Sequence, residues 1–139
     1  MKIRVVIALI LLLSAFVIIS CESDSSIEFK RYYTEGAQLY QTHCQNCHGA
    51  HGEGLLSLIP PLTDSVYFKN NKATLACSIR FGLKDPIVVG GKGFVSIMPR
   101  QDISPIELAE VITYVQNSFG NKLGLTTLDQ VQADMSNCR

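Results

Sequence analysis

The chain has 139 residues, 12 basic and 12 acidic side chains and three histidines, so its formal net charge is zero. That length accommodates one domain, and a balanced charge excludes the basic footprint of a nucleic-acid binder. Hydrophobic residues make up 47% of the chain, but many of them lie in the first twenty positions, and the remainder is ordinary for a globular body.

Lys2 and Arg4 open the chain and an uncharged apolar run over residues 5–19 follows, the layout of a secretory signal. As a helix that run reaches roughly 22 Å, against about 30 Å of bilayer hydrocarbon, which is short for a crossing. It closes on Ile18-Ile19-Ser20-Cys21, which resembles the bacterial lipoprotein box, in which the cysteine is acylated and becomes the mature N-terminus. Residues 1–20 are therefore expected to be a signal peptide of lipoprotein type and Cys21 to carry the lipid; plain secretion and a retained anchor are the alternatives. Loss of Lys2 and Arg4 leaves the mature chain slightly acidic. Export also permits disulfides and disfavours a reduced thioredoxin-like role.

Residues 22–30, serine-rich and polar, suit a flexible tether from Cys21, with the folded body over residues 31–139. Within it, Tyr32 or Tyr33, Gly36, Leu39, Tyr40 and His43 recur at three- and four-residue intervals, which predicts an amphipathic helix leading into Cys44. Gly36 costs about 1 kcal/mol there relative to alanine and suits a close helix crossing. Glycines and the Pro60-Pro61 pair make residues 49–61 a loop. A short helix capped by Asn71 and stopped at Gly82 follows, then an irregular loop over residues 83–103 with an extended piece at Ile87-Val88-Val89. The clearest helix starts at Ser104, with Pro105 at its first position and Glu107 completing a capping box. Ala109, Ile112 and Val115, flanked by Leu108, Val111 and Phe119, supply its buried face before Gly120-Asn121 ends it. A last helix runs from Leu128 to Met135, capped by Thr127.

The chemistry concentrates in Cys44-Gln45-Asn46-Cys47-His48. In a helical turn these cysteines and the histidine address one flat object together, and C-x-x-C-H is the haem attachment signature, with two thioether bonds at the macrocycle edge and the imidazole toward the iron. Zinc needs four ligands, usually as two pairs, and Cys77 and Cys138 stand far apart. A redox dithiol belongs after a strand in a βαβ setting, which a helical lead-in does not supply.

On these residues, with Gly36 and Tyr40 eight and four positions before Cys44 and with Val111 and Tyr114 in the late helix, residues 31–121 resemble a class I mono-haem cytochrome c of the bacterial lipoprotein type. The resemblance implies an all-α fold, a small cytochrome c fold with three to five short helices and long loops wrapped around one covalently bound haem. It implies that Pro60, twelve residues after His48, accepts the imidazole proton on its carbonyl, fixing the ring, and that Leu62 walls the haem. Met98, in a Met-Pro context on the glycine-rich loop, is the candidate second axial ligand. Met135 fits the last helix's buried stripe, and His43 and His51 flank the attachment turn on the proximal side. Leu62, Phe81 and Ile97 are expected against the ring. With Cys21 lipidated and Cys44 and Cys47 on haem, Cys77 and Cys138 remain for a disulfide, with buried free thiols as the alternative. Lys84, Lys92 and Arg100 are placed to rim the haem edge, or are ordinary solvated charges.

Function follows from ligation, because an iron with two protein ligands exchanges electrons whereas an open one binds small molecules. The expectation is a single-electron carrier and not an enzyme, with haem c as cofactor and His48 and Met98 as metal ligands. It is exported across the inner membrane and lipid-anchored on the periplasmic side, with redox proteins as partners and no nucleic acid. The alternatives are a haem c subunit fixed in a larger respiratory oxidoreductase, and a haem sensor or peroxidase with an open iron.

Overall fold

A computed structural model of the chain describes residues 3–5 and 24–138. The expected signal peptide lies largely outside them and Cys21 wholly so. Helix α1 spans Asp24–His43, so residues 24–30 are helical where the sequence suggested a tether. The cause is tertiary: Phe29 stacks on Tyr33 one turn further on, with ring centroids 5.9 Å apart, and Tyr33 packs on Tyr114 at 5.2 Å. Helical bonding carries through the end of α1, since Cys44 N–H donates to the Tyr40 carbonyl, and a single turn, α2 (Gln45–His48), completes the C-x-x-C-H segment.

Helix α3 (Ser65–Asn70) begins at Asp64, whose carboxylate accepts from the N–H groups of Val66 and Tyr67. A 3-10 turn, Lys72–Thr74, leads into α4 (Leu75–Phe81), which stops at Gly82. Asn71 closes α3 by donating to the Tyr67 carbonyl and does not cap the helix after it. Strands β1 (Ile87–Val89) and β2 (Lys92–Phe94) form an antiparallel hairpin with Ile87 opposite Phe94. Gly90 and Gly91 both have positive φ, the requirement of the two-residue turn whose twist matches the strands.

Helix α5 (Pro105–Val115) has the complete capping box of Ser104 and Glu107 and buries Leu108, Ala109, Val111, Ile112 and Val115. It ends five residues before Gly120 because Asn117 turns the chain: its side chain donates to the Thr113 and Gly124 carbonyls and accepts from the N–H groups of Leu123 and Gly124. Helix α6 (Leu128–Met135) is capped by Thr127 and buries Val131. A disulfide joins Cys77 on α4 to Cys138 beyond α6, S–S 2.03 Å.

The core lies where α1 crosses α5. Tyr32 and Tyr40 are buried there, and Tyr40 packs on Tyr114 at 5.3 Å and on Phe119 at 5.2 Å. Aromatic pairs in this range contribute about 0.5–1.5 kcal/mol each beyond area burial. The crossing fixes the helix that ends in the Cys44 turn against the helix that walls the adjoining cleft.

Candidate functional site

The Cys44–His48 turn forms one rim of an open cleft. Its other walls come from α3 (Tyr67, Phe68), α4 (Leu75, Ile79) and α5 (Val111, Ile112), so it is almost wholly apolar. A second space adjoins it on the Cys47 side, lined by Leu58, Phe94 and Ile97 among others. His48, Pro60, Leu83, Ile87 and Met98 border both.

His48 is buried, and its Nδ1 lies 3.1 Å from the Pro60 carbonyl oxygen. A carbonyl can only accept, so Nδ1 carries the proton and Nε2 is left with its lone pair, the form a metal ligand needs. Burial holds the imidazole below the ordinary histidine range, opposed by the Pro60 bond, so the neutral ring is favoured. Tyr40 locks the turn from the other side, its hydroxyl donating to the Gly49 carbonyl at 2.6 Å.

Met98 is half-buried and borders the cleft, and its backbone is fixed. Leu83 and Met98 exchange two backbone hydrogen bonds, at 3.0 and 2.9 Å. Gly82 makes this pairing possible: it has φ +83°, and a Cβ there would sit 2.6 Å from the Met98 oxygen and 2.9 Å from the Arg100 nitrogen. Sequence reading marked Gly82 as a helix stop and missed this second role. It also missed Asn121, whose amide donates to the Leu62 carbonyl at 2.7 Å and the Val115 carbonyl at 3.0 Å, fastening the loop that carries Pro60 and Leu62 to the end of α5.

Leu62 lines the larger cleft and Ile97 the smaller. Phe81 is a correction: it is 58% exposed and borders neither space. Helix α4 presents Leu75, Ser78 and Ile79 inward, positions i, i+3 and i+4, and Phe81 falls off that stripe. His43 and His51 are exposed beside the turn, Lys84 and Arg100 are exposed on the loops, and Met135 packs on the core.

The chemistry of the thiols separates the readings left open by sequence. Cys44 and Cys47 are not joined to one another. Burial pushes the Cys44 thiol up to about 11, with Cys47 adding to the effect, whereas a redox dithiol needs a lowered value to supply thiolate. Cys77 and Cys138 are consumed by their disulfide, and among the described residues no three histidine, cysteine or acidic side chains converge on a common metal position. What remains is a paired-thiol rim, one buried imidazole with its Nε2 lone pair uncommitted to Pro60, a thioether and apolar walls, a donor set that fits haem.

The helical body and this cleft define a c-type cytochrome domain. Residues 32–115 match the family described as cytochrome C oxidase, cbb3-type, subunit III, and the chain belongs to that family. No curated protein matches the chain. A cytochrome c domain is a haem-based electron-transfer module and not an enzyme; it carries covalently bound c-type haem, passes electrons to redox partners and is that of an exported, periplasmic protein. Among the described residues no helix is long and apolar enough to cross a membrane.

Proposed function

We propose that this chain is a membrane-anchored single-electron carrier, holding one haem through Cys44 and Cys47, with His48 and Met98 as the axial ligands and lipid on Cys21. Bound haem would supply a one-electron iron couple, which thioether ligation biases toward the ferrous state relative to bis-histidine ligation. The protein's own share is to bury the ring, orient two ligands and exclude water. Pro60 orients the imidazole, Gly82 and Leu83 hold the Met98 segment, and Leu62, Ile79, Val111 and Ile112 supply apolar walls.

The observation that carries the reading is that His48 and Met98 border the same two adjoining spaces, each on a separately braced segment. Two filled positions favour exchange of electrons over binding of small molecules. The test is carbon monoxide added to the reduced protein at neutral pH: a filled site stays unchanged, and rapid complete binding supports the open-iron reading instead. The family's description, an oxidase subunit, favours a second reading, a haem subunit held permanently in a larger oxidoreductase. Purification from native membranes decides between them, since a fixed subunit emerges with a stoichiometric partner and a carrier emerges alone.

A further inference from the structure

The peptide that orients His48 has no hydrogen-bond donor of its own. Pro60 and Pro61 both lack an N–H, so the carbonyl between them is held in place only through the residues on either side. Upstream, Leu55 and Ile59 exchange two backbone bonds, at 2.9 and 3.1 Å. Downstream, Leu62 is gripped at both ends: its N–H donates to the Gly52 carbonyl at 2.7 Å, and its carbonyl accepts from Asn121 Nδ2 at 2.7 Å. The second bond reaches across 59 residues, from the turn that follows α5.

That turn is shaped to make the bond. Phe119 has φ +56°, and a bulky residue in left-handed backbone is a genuine outlier that persists only where the surroundings enforce it. Its ring lies against Gly52, where a Cβ would stand 2.6 Å from Phe119 Cδ2, and against Tyr40, with ring centroids 5.2 Å apart. The reversal lets Asn121 N–H donate to the Ser118 carbonyl at 2.9 Å and turns its amide back to the Val115 carbonyl at 3.0 Å and to Leu62. Gly52 and Leu62 are bonded to each other, so this one turn grips both sides of the loop closure. Asn121 is 2% exposed, and its Oδ1 has no hydrogen-bond partner among the described residues. An unsatisfied buried acceptor is costly. What offsets it is the pair of bonds that Nδ2 donates.

We propose that Asn121 is a positioning residue for His48: by clamping Leu62 it fixes the Pro60 carbonyl against Nδ1, and so sets how strongly the imidazole donates electrons to iron. A carbonyl bonded to Nδ1–H raises the basicity of the other ring nitrogen, and a more basic ligand favours ferric iron. Releasing the clamp lets the Pro60 carbonyl drift from Nδ1, so the ferrous form gains and the reduction potential rises. The inference rests on the reading of His48 as an iron ligand.

The test uses the haem-loaded full chain. In a dye-mediated redox titration, Asn121→Ala is expected to shift the one-electron equilibrium toward the ferrous form about threefold, or about 30 mV at roughly 59 mV per tenfold. In the reduced variant the His48 Nδ1 proton, followed by NMR, should exchange with solvent faster than in the natural chain. Thr127→Ala is the control, because its hydroxyl caps α6 by accepting from Gln130 N–H at 3.2 Å and bonds to nothing in the loop over residues 49–62. It should lower the thermal midpoint, as a lost cap does, and leave the potential unchanged. In the natural chain the side-chain amide protons of Asn121 should exchange far more slowly than those of Gln38 on the exposed face of α1. Equal exchange there overturns the clamp whether or not the variant folds. A potential unchanged in Asn121→Ala, or moved equally by Thr127→Ala, overturns the positioning role alone. A ferric natural chain whose His48 ring protons are not shifted by the iron overturns the ligand reading and this inference with it.

Discussion

Gly36 lies against the backbone of Glu110: a Cβ placed on it would stand 2.6 Å from the Glu110 carbonyl carbon and 2.8 Å from the Tyr114 Cβ. The contact is what lets α1 and α5 cross closely enough to hold the Cys44–His48 turn beside the cleft wall. Two effects compete in Gly36→Ala. Helix propensity favours alanine by about 1 kcal/mol, and overpacking against backbone costs about 1–3 kcal/mol or more. Because the obstruction is main chain and cannot rotate away, overpacking wins. We expect a net loss of about 1–2 kcal/mol in urea unfolding of the haem-loaded protein, while Gln38→Ala on the exposed face of α1 should leave stability level or raise it.

Gly82 tests the brace on Met98. Gly82→Ala forces a Cβ into the Met98 and Arg100 backbone at a φ that alanine rarely adopts. The expected result is a loss of about 1–3 kcal/mol, together with a ferric spectrum moved toward that of Met98→Ala. A spectrum unchanged despite the lost stability would mean that the Met98 segment does not set ligation.

The disulfide closes 61 residues of sequence and ties α4, which walls the cleft, to the C-terminal end. In the chain-entropy model its removal costs roughly 4 kcal/mol. Replacing Cys77 and Cys138 together by alanine should lower urea-unfolding stability by about that amount and leave haem content unchanged, since neither residue borders the cleft.

Acid should loosen the cleft through Asp64. Its carboxylate accepts from Gly90 N–H at 2.8 Å and from the Val66 and Tyr67 N–H groups, linking the hairpin to α3. The Gly90 bond first, and the Tyr67 bond next, hold the group below the usual carboxylate range. A depressed folded value means that its stabilisation is complete above about pH 4 and is lost as pH falls through the folded value. Asp64→Ala should therefore cost about 1 kcal/mol at pH 7, the usual loss for a removed cap, and flatten the acid limb of thermal unfolding against pH. An unaltered acid limb would remove Asp64 from the account.

Much of this was legible because the signals are local. The capping box at Ser104, the apolar stripe of α5, the Thr127 cap and C-x-x-C-H each fit within a few residues. Pro60 was legible only through family resemblance, and the 3.1 Å approach to His48 is geometry that sequence spacing cannot supply. The helical start at Asp24 was hidden because a polar segment is recruited by one aromatic stack, Phe29 on Tyr33. Helix α3 was hidden because six residues carry too short a period to stand out, and Phe81 misled because hydrophobicity says nothing about which side of a two-turn helix faces inward. Gly82 and Asn121 act on Met98 and Leu62, 16 and 59 residues away respectively, and such contacts leave no local trace.

The central claim is that iron is gripped by His48 on one side and Met98 on the other. The direct measurement is the ferric optical spectrum of the haem-loaded natural chain against Met98→Ala, each with and without added imidazole. The account predicts that the natural chain is indifferent to imidazole, whereas the variant shows an altered spectrum and takes imidazole into the vacated position. Identical spectra, or a natural chain that binds imidazole as readily as the variant, would contradict it.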